Sequence, residues 1–67
     1  MRRRELIRIL KRIAGEVRLD LVLTEGGSHT KARIGPWMTT IPRHREVDES
    51  LARSIIRNCR STLQEES

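Results

Sequence analysis

Leu6, Ile9, Leu10 and Ile13 recur at the spacing of one helical face, while a turn of about 100° per residue carries Arg4, Arg8, Lys11 and Arg12 to the other side. The pattern predicts an amphipathic first helix that is basic outside. Gly15 is expected to stop it, since glycine enters the left-handed conformation without penalty. The period then changes to two. Val17, Leu19, Leu21 and Leu23 alternate with Glu16, Arg18 and Asp20, with Val22 as an exception, which predicts a half-buried strand. Glu25-Gly26-Gly27-Ser28 supplies a turn, His29 to Ile34 a second strand, Gly35-Pro36 a second turn, and Trp37 to Ile41 a third strand.

Pro42 to Glu46 is expected as a loop. Asp48 then caps a helix whose apolar stripe is Leu51, Ala52, Ile55, Ile56, Cys59 and Leu63, with Arg53, Arg57 and Arg60 facing away. Residues 64–67 are expected as a frayed tail. The order helix, three strands, helix defines an α+β fold of αβββα type: a three-stranded antiparallel meander with both helices on one face.

At 67 residues the chain forms one domain whose core is small, because a domain of this size buries only about 60% of the surface its unfolded form exposes. Phe and Tyr are missing and Trp37 stands alone, so the core must come from Leu, Ile, Val and Ala. Trp37 reads as a core or partner-interface anchor, with stacking on an unpaired base as the rival role. The net charge is +5, and residues 1–18 hold seven basic groups against two acidic ones. A field of that sign attracts nucleic acid or anionic surfaces without dictating the fold. No apolar run approaches the roughly 20 residues that span a bilayer, so no membrane association is expected. A lone Cys59, which has no intramolecular disulfide partner, suits a reducing, cytoplasmic location.

The chemistry is expected at Gly26-Gly27-Ser28-His29. A histidine both accepts and donates a proton near neutral pH, as cleavage of RNA through its own 2′-hydroxyl requires. Glycines ahead of it let backbone amides approach a phosphate, and Ser28 offers a hydroxyl donor to the same oxyanion. Lys31 and Arg33 share the face of His29 at period two and suit a phosphate backbone crossing the sheet. His44, between Arg43 and Arg45, offers a second imidazole or a phosphate clamp. Each feature has a plainer counterpart: a solvent-facing strand histidine after an ordinary hairpin, a polar outer sheet face, a solvated helix stripe. Two histidines without further thiolates or a carboxylate cluster supply too few ligands for a metal, and no cofactor is expected.

Taken together, these residues resemble the HicA family of bacterial toxins. The resemblance rests on Glu5-Leu6-Ile7-Arg8-Ile9-Leu10, on Gly27-Ser28-His29 opening the second strand, on Thr40-Ile41-Pro42-Arg43-His44 ending the third, and on Leu51-Ala52-Arg53-Ser54-Ile55-Ile56 in the last helix. It implies a fold like a double-stranded-RNA-binding domain and endoribonuclease action on messenger RNA. It also implies a HicB-type antitoxin that covers the active face, with any oligomer formed through that antitoxin. It maps the catalytic histidine onto His29 and the family's Gly-Ser pair onto Gly27 and Ser28. RNA-binding roles are then expected for Gly27, Ser28, Lys31, Arg33, Arg4, Arg8, Lys11, Arg43 and His44. Two other classes stay open: a non-catalytic RNA-binding module on the same platform, and a protein-interaction subunit whose charge complements an acidic partner.

Overall fold

The computed structural model describes residues 1–64, and these form α1 (Arg3–Glu16), β1 (Leu21–Glu25), β2 (His29–Ile34), β3 (Trp37–Pro42) and α2 (Glu49–Gln64). The strands make one antiparallel sheet in the order β1-β2-β3. The α+β class and the αβββα order are those the sequence pattern predicts. Both helices lie on one face, α1 against β1 and α2 against β3, and pack on each other.

Burial follows the two periods. α1 buries Leu6, Leu10, Ile13 and Ala14 with Ile9 half-buried, and its Arg4, Arg8, Lys11 and Arg12 are exposed. In β2 the odd positions His29, Lys31 and Arg33 are exposed, while Thr30, Ala32 and Ile34 are buried beneath the helices. Trp37 is 3% exposed and its indole Nε1 donates to Asn58 Oδ1 at 2.9 Å, tying the start of β3 to α2. That decides for the core-anchor role over base stacking.

Several expectations are corrected. Gly15 does not end α1: it lies inside the helix, which runs to Glu16. The left-handed residue is Arg18, at φ 59°. There Leu19 N–H donates to Ala14 O at 2.8 Å and Arg18 N–H to Gly15 O at 3.1 Å. This is the paired bonding of a Schellman cap, built on arginine where glycine is usual. Because the chain is still wrapping the helix end there, Val17 and Leu19 are not strand residues and β1 begins at Leu21. β1 lies at the sheet's edge, so Leu23 on its helix-side face stays exposed.

Asp48 caps α2 as expected, its Oδ2 accepting from Ser50 N–H at 3.1 Å and Leu51 N–H at 3.3 Å. Leu51, however, is exposed in the first turn, while Ala52, Ile55 and Cys59 carry the buried stripe with Ile56 and Leu63 half-buried. Gln64, expected in the tail, ends α2 and donates from Nε2 to Glu16 Oε1 at 2.6 Å. The rest of the expected tail, 65–67, lies outside the described residues. Among the described residues no helix is long and apolar enough to cross a membrane.

Candidate nucleic-acid interface

Strand pairing fixes which groups share the helix-free face. Thr24 lies opposite Lys31, which lies opposite Thr40; Val22 lies opposite Arg33, which lies opposite Met38; and His29 pairs with Pro42. This outer face thus carries His29, Lys31 and Arg33 in one line down β2. Val22 and Met38, 46% and 59% exposed, flank Arg33.

The turn before His29 is tied at both ends. Gly26 N–H donates to His29 O at 2.9 Å, and Arg43 N–H donates to Ser28 O at 3.3 Å. The Arg43 guanidinium reaches back over the turn. One of its terminal nitrogens donates to Gly26 O at 3.0 Å, and Nε lies 3.4 Å from Glu25 Oε1. Glu25 also accepts from the Thr30 hydroxyl at 2.8 Å, and Arg3 in turn donates to the Thr30 oxygen. Arg3, Thr30, Glu25 and Arg43 therefore form one chain of polar contacts from the start of α1 to the glycine turn. Two guanidiniums flank the Glu25 carboxylate, so its charge does not stand unopposed beside the turn.

His29 is exposed, with Nδ1 3.1 Å from Ser28 Oγ. When Nδ1 carries the ring proton and donates it to the Ser28 hydroxyl oxygen, Nε2 is left with a free lone pair, so the ring is held at one nitrogen and presents the other as a proton acceptor. A cleft of about 540 Å³ adjoins it, lined by Thr24, Glu25, Gly26, Gly27, Ser28, His29, Lys31 and Thr40. A Cβ on Gly27 would meet nothing within 4 Å, so its backbone is open to an approaching group. The arrangement offers one imidazole, three hydroxyls, one ammonium, one carboxylate and exposed turn backbone in an open cleft.

The other expected residues are not gathered there. Arg4, Arg43 and His44 line a second cleft with Arg2, Arg3 and Arg45. Arg8 lies with Arg2, Arg4 and Glu5, where Glu5 is 3.9 Å from it. Lys11 lies on the solvent side of α1, with the sheet between it and His29's face. The helix stripe and the sheet face are thus separate surfaces. Among the described residues, no three His, Cys, Asp or Glu side chains gather in a way that would hold a metal ion.

Sequence reasoning passed over Arg3 and Thr30, and it placed Glu25 as a negative charge close to the proposed phosphate site without its partners. A signal for Arg3 existed, because positions 3, 6, 10 and 13 share one helical face, which places a charge on the apolar stripe where it needs an internal partner. Compared with family models, curated proteins and solved structures, the chain has no significant match.

Proposed function

We propose that this chain is a HicA-like endoribonuclease toxin, in which His29 moves the proton at the scissile phosphate of a messenger RNA. The observation that carries the reading is the exposed His29 imidazole, held by Ser28 beside the open Gly27 backbone and in line with Lys31 and Arg33 on a sheet face without helices. In this reading the neutral imidazole accepts the proton of the 2′-hydroxyl as its oxygen attacks the adjacent phosphorus. The bond to the 5′-oxygen breaks, and that oxygen is reprotonated from the imidazolium or from water. Lys31 and Arg33 neutralise the phosphate oxygens, and no step draws on a metal or cofactor. One positioned acid/base contributes about 10²–10⁴-fold.

An antitoxin of HicB type fits the same face, where covering His29 would also bury the exposed Val22 and Met38. The test is induction of the chain in bacteria, with and without His29→Ala, while growth and messenger RNA integrity are followed. Growth arrest with RNA loss, both abolished in a folded His29→Ala variant, is the expected result. A variant that cleaves as well as the parent would sink the mechanism.

One observation favours a second reading. No second imidazole lines the His29 cleft, since His44 belongs to the neighbouring one, and the Glu25 carboxylate that does line it is tied to Arg3, Arg43 and Thr30 rather than left as a partner acid or base. A non-catalytic RNA-binding module would use the same Lys31, Arg33 and glycine turn. RNA binding retained in His29→Ala, with no cleavage by the parent, would select it.

A further inference from the structure

The cleft beside the Arg43 staple has a volume of about 590 Å³ and is lined by Arg2, Arg3, Arg4, Arg43, His44 and Arg45. No carboxylate is among its lining residues. Its two walls come from distant parts of the chain and are fixed by backbone pairing. Arg3 N–H donates to Arg45 O at 2.8 Å, Val47 N–H donates to Met1 O at 2.7 Å, and Arg2 forms a bridge with Glu46.

The five arginines and His44 divide by their internal partners. Arg3 and Arg43 are committed to Glu25, Thr30 and the Gly26 carbonyl. Arg2, Arg4, His44 and Arg45 are exposed, and among the described residues none of them is paired with a carboxylate. Holding several guanidiniums side by side costs Coulomb energy unless anions sit between them. Arginine's planar fork fits phosphate oxygens two at a time.

Arg43 borders both regions: its guanidinium holds the Gly26 turn of the His29 cleft and also lines this one. A strand with a phosphate at His29 therefore has, past Arg43, an adjoining row of unpaired cations. We infer that this arginine cleft is a second phosphate subsite, which takes the backbone phosphates of the same RNA strand next to the nucleotide held at His29. The inference rests on the RNA reading above and adds Arg2 and Arg45 to the contacting residues. The subsite reads the backbone alone, so it extends the length of RNA held without adding base preference.

The experiment measures binding of single-stranded RNA oligonucleotides as a function of salt, with His29→Ala as the background so that the probe stays intact. Arg2→Ala with Arg45→Ala on that background should lower the slope of log affinity against log salt by about 1.4, from two lost phosphate contacts at about 0.7 each. Raising salt from 50 to 200 mM should then weaken the double variant about sevenfold less than its parent. Arg2→Lys with Arg45→Lys should keep most of the slope, because the charges remain. Unchanged slope and affinity in the folded alanine variant would overturn the subsite.

Inorganic tripolyphosphate separates an RNA backbone from a free phosphate chain. If it binds the parent through Arg2 and Arg45 while RNA affinity ignores both, the cleft takes a free polyphosphate and the RNA form of the inference is wrong. Failure of the nuclease reading shows differently: the unmutated chain would bind RNA with the expected slope and never cleave it.

Discussion

Arg43 donates to the Gly26 carbonyl at 3.0 Å while its Nε lies 3.4 Å from the Glu25 carboxylate, so one exposed side chain closes the turn that presents His29. An exposed ion pair of this kind contributes about 0–1 kcal/mol to global stability. Its effect should instead be local. Arg43→Ala should leave the melting temperature within a few degrees of the parent and raise amide hydrogen exchange at Gly26–His29. If RNA is cleaved, activity should fall as well. Arg43→Lys should recover little of it, because a single ammonium cannot span the carboxylate and the carbonyl with the geometry of a guanidinium. Unaltered exchange in the turn of Arg43→Ala would show that the staple does not order it.

Gly27 provides a cleaner separation of folding from chemistry. Open space surrounds its would-be Cβ, and its φ is not positive. Gly27→Ala should fold with stability within about 0.5 kcal/mol of the parent, as surface changes usually do. RNA affinity or cleavage should nevertheless drop if a phosphate approaches that backbone. Gly35→Ala is the contrasting control. Gly35 sits at φ 55° and its would-be Cβ lies 2.7 Å from Leu19 Cδ1, so that variant should lose stability whatever the function.

The end of α1 invites two stabilising changes. Gly15 is helical with nothing within 4 Å of a would-be Cβ, so Gly15→Ala should add about 0.5–1 kcal/mol. Arg18 pays the left-handed penalty at φ 59°, and Arg18→Gly should relieve part of the roughly 1–2 kcal/mol that this conformation costs an L-residue. Chemical denaturation of the single and double variants checks both values. The sites are close enough to share the Arg18 N–H to Gly15 O bond, so small departures from additivity are expected.

Trp37 should be the most sensitive position in the core. Trp37→Phe removes the bond to Asn58, whose exposed side chain can turn to water, and should cost about 0.5–1.5 kcal/mol. Trp37→Ala should cost about 3–5 kcal/mol. For a domain with so small a core that is a large share of the total stability. Native Trp37 fluorescence should be blue-shifted and report unfolding directly.

Cys59 supplies a pH signature. Burial pushes its thiol up from the ordinary value, against a smaller opposing effect of Arg60. A folded pKa above the unfolded one means the native state holds the proton more tightly. The associated stability is fully present below the unfolded pKa and is lost as pH rises through the folded one. Thermal stability should therefore decline on the alkaline side, with a shallower decline in Cys59→Ala. Alkylation of Cys59 near neutral pH should be slow and should track global unfolding. Rapid labelling of the folded protein would contradict the burial.

The sequence pattern reached the order of elements, the alternation in β2, the Asp48 cap and the inward Trp37, all of which rest on local periodicity or capping chemistry. It missed where β1 begins because Val17 and Leu19 continue an apolar alternation while their backbone finishes a helix cap, and period alone does not separate the two. The same limit applies to Gly15, where residue type suggested a stop that the chain makes three residues later on an arginine. The neighbourhood of His29 was legible along one strand only. The Glu25–Arg43 contact spans 18 positions, and the joining of Arg2 to Glu46 depends on tertiary backbone pairing that no local spacing encodes. The allocation of arginines to two clefts followed from that pairing.

The alternation of β2 has a consequence for how this protein can change over generations. Thr30, Ala32 and Ile34 hold the fold, whereas His29, Lys31 and Arg33 face away from it and touch none of the buried cluster's side of the sheet. Substitutions at the odd positions can retune substrate, partner or reactivity at little cost to foldedness. The even positions are free to conserve the scaffold, so six consecutive residues serve two selection pressures that hardly compete.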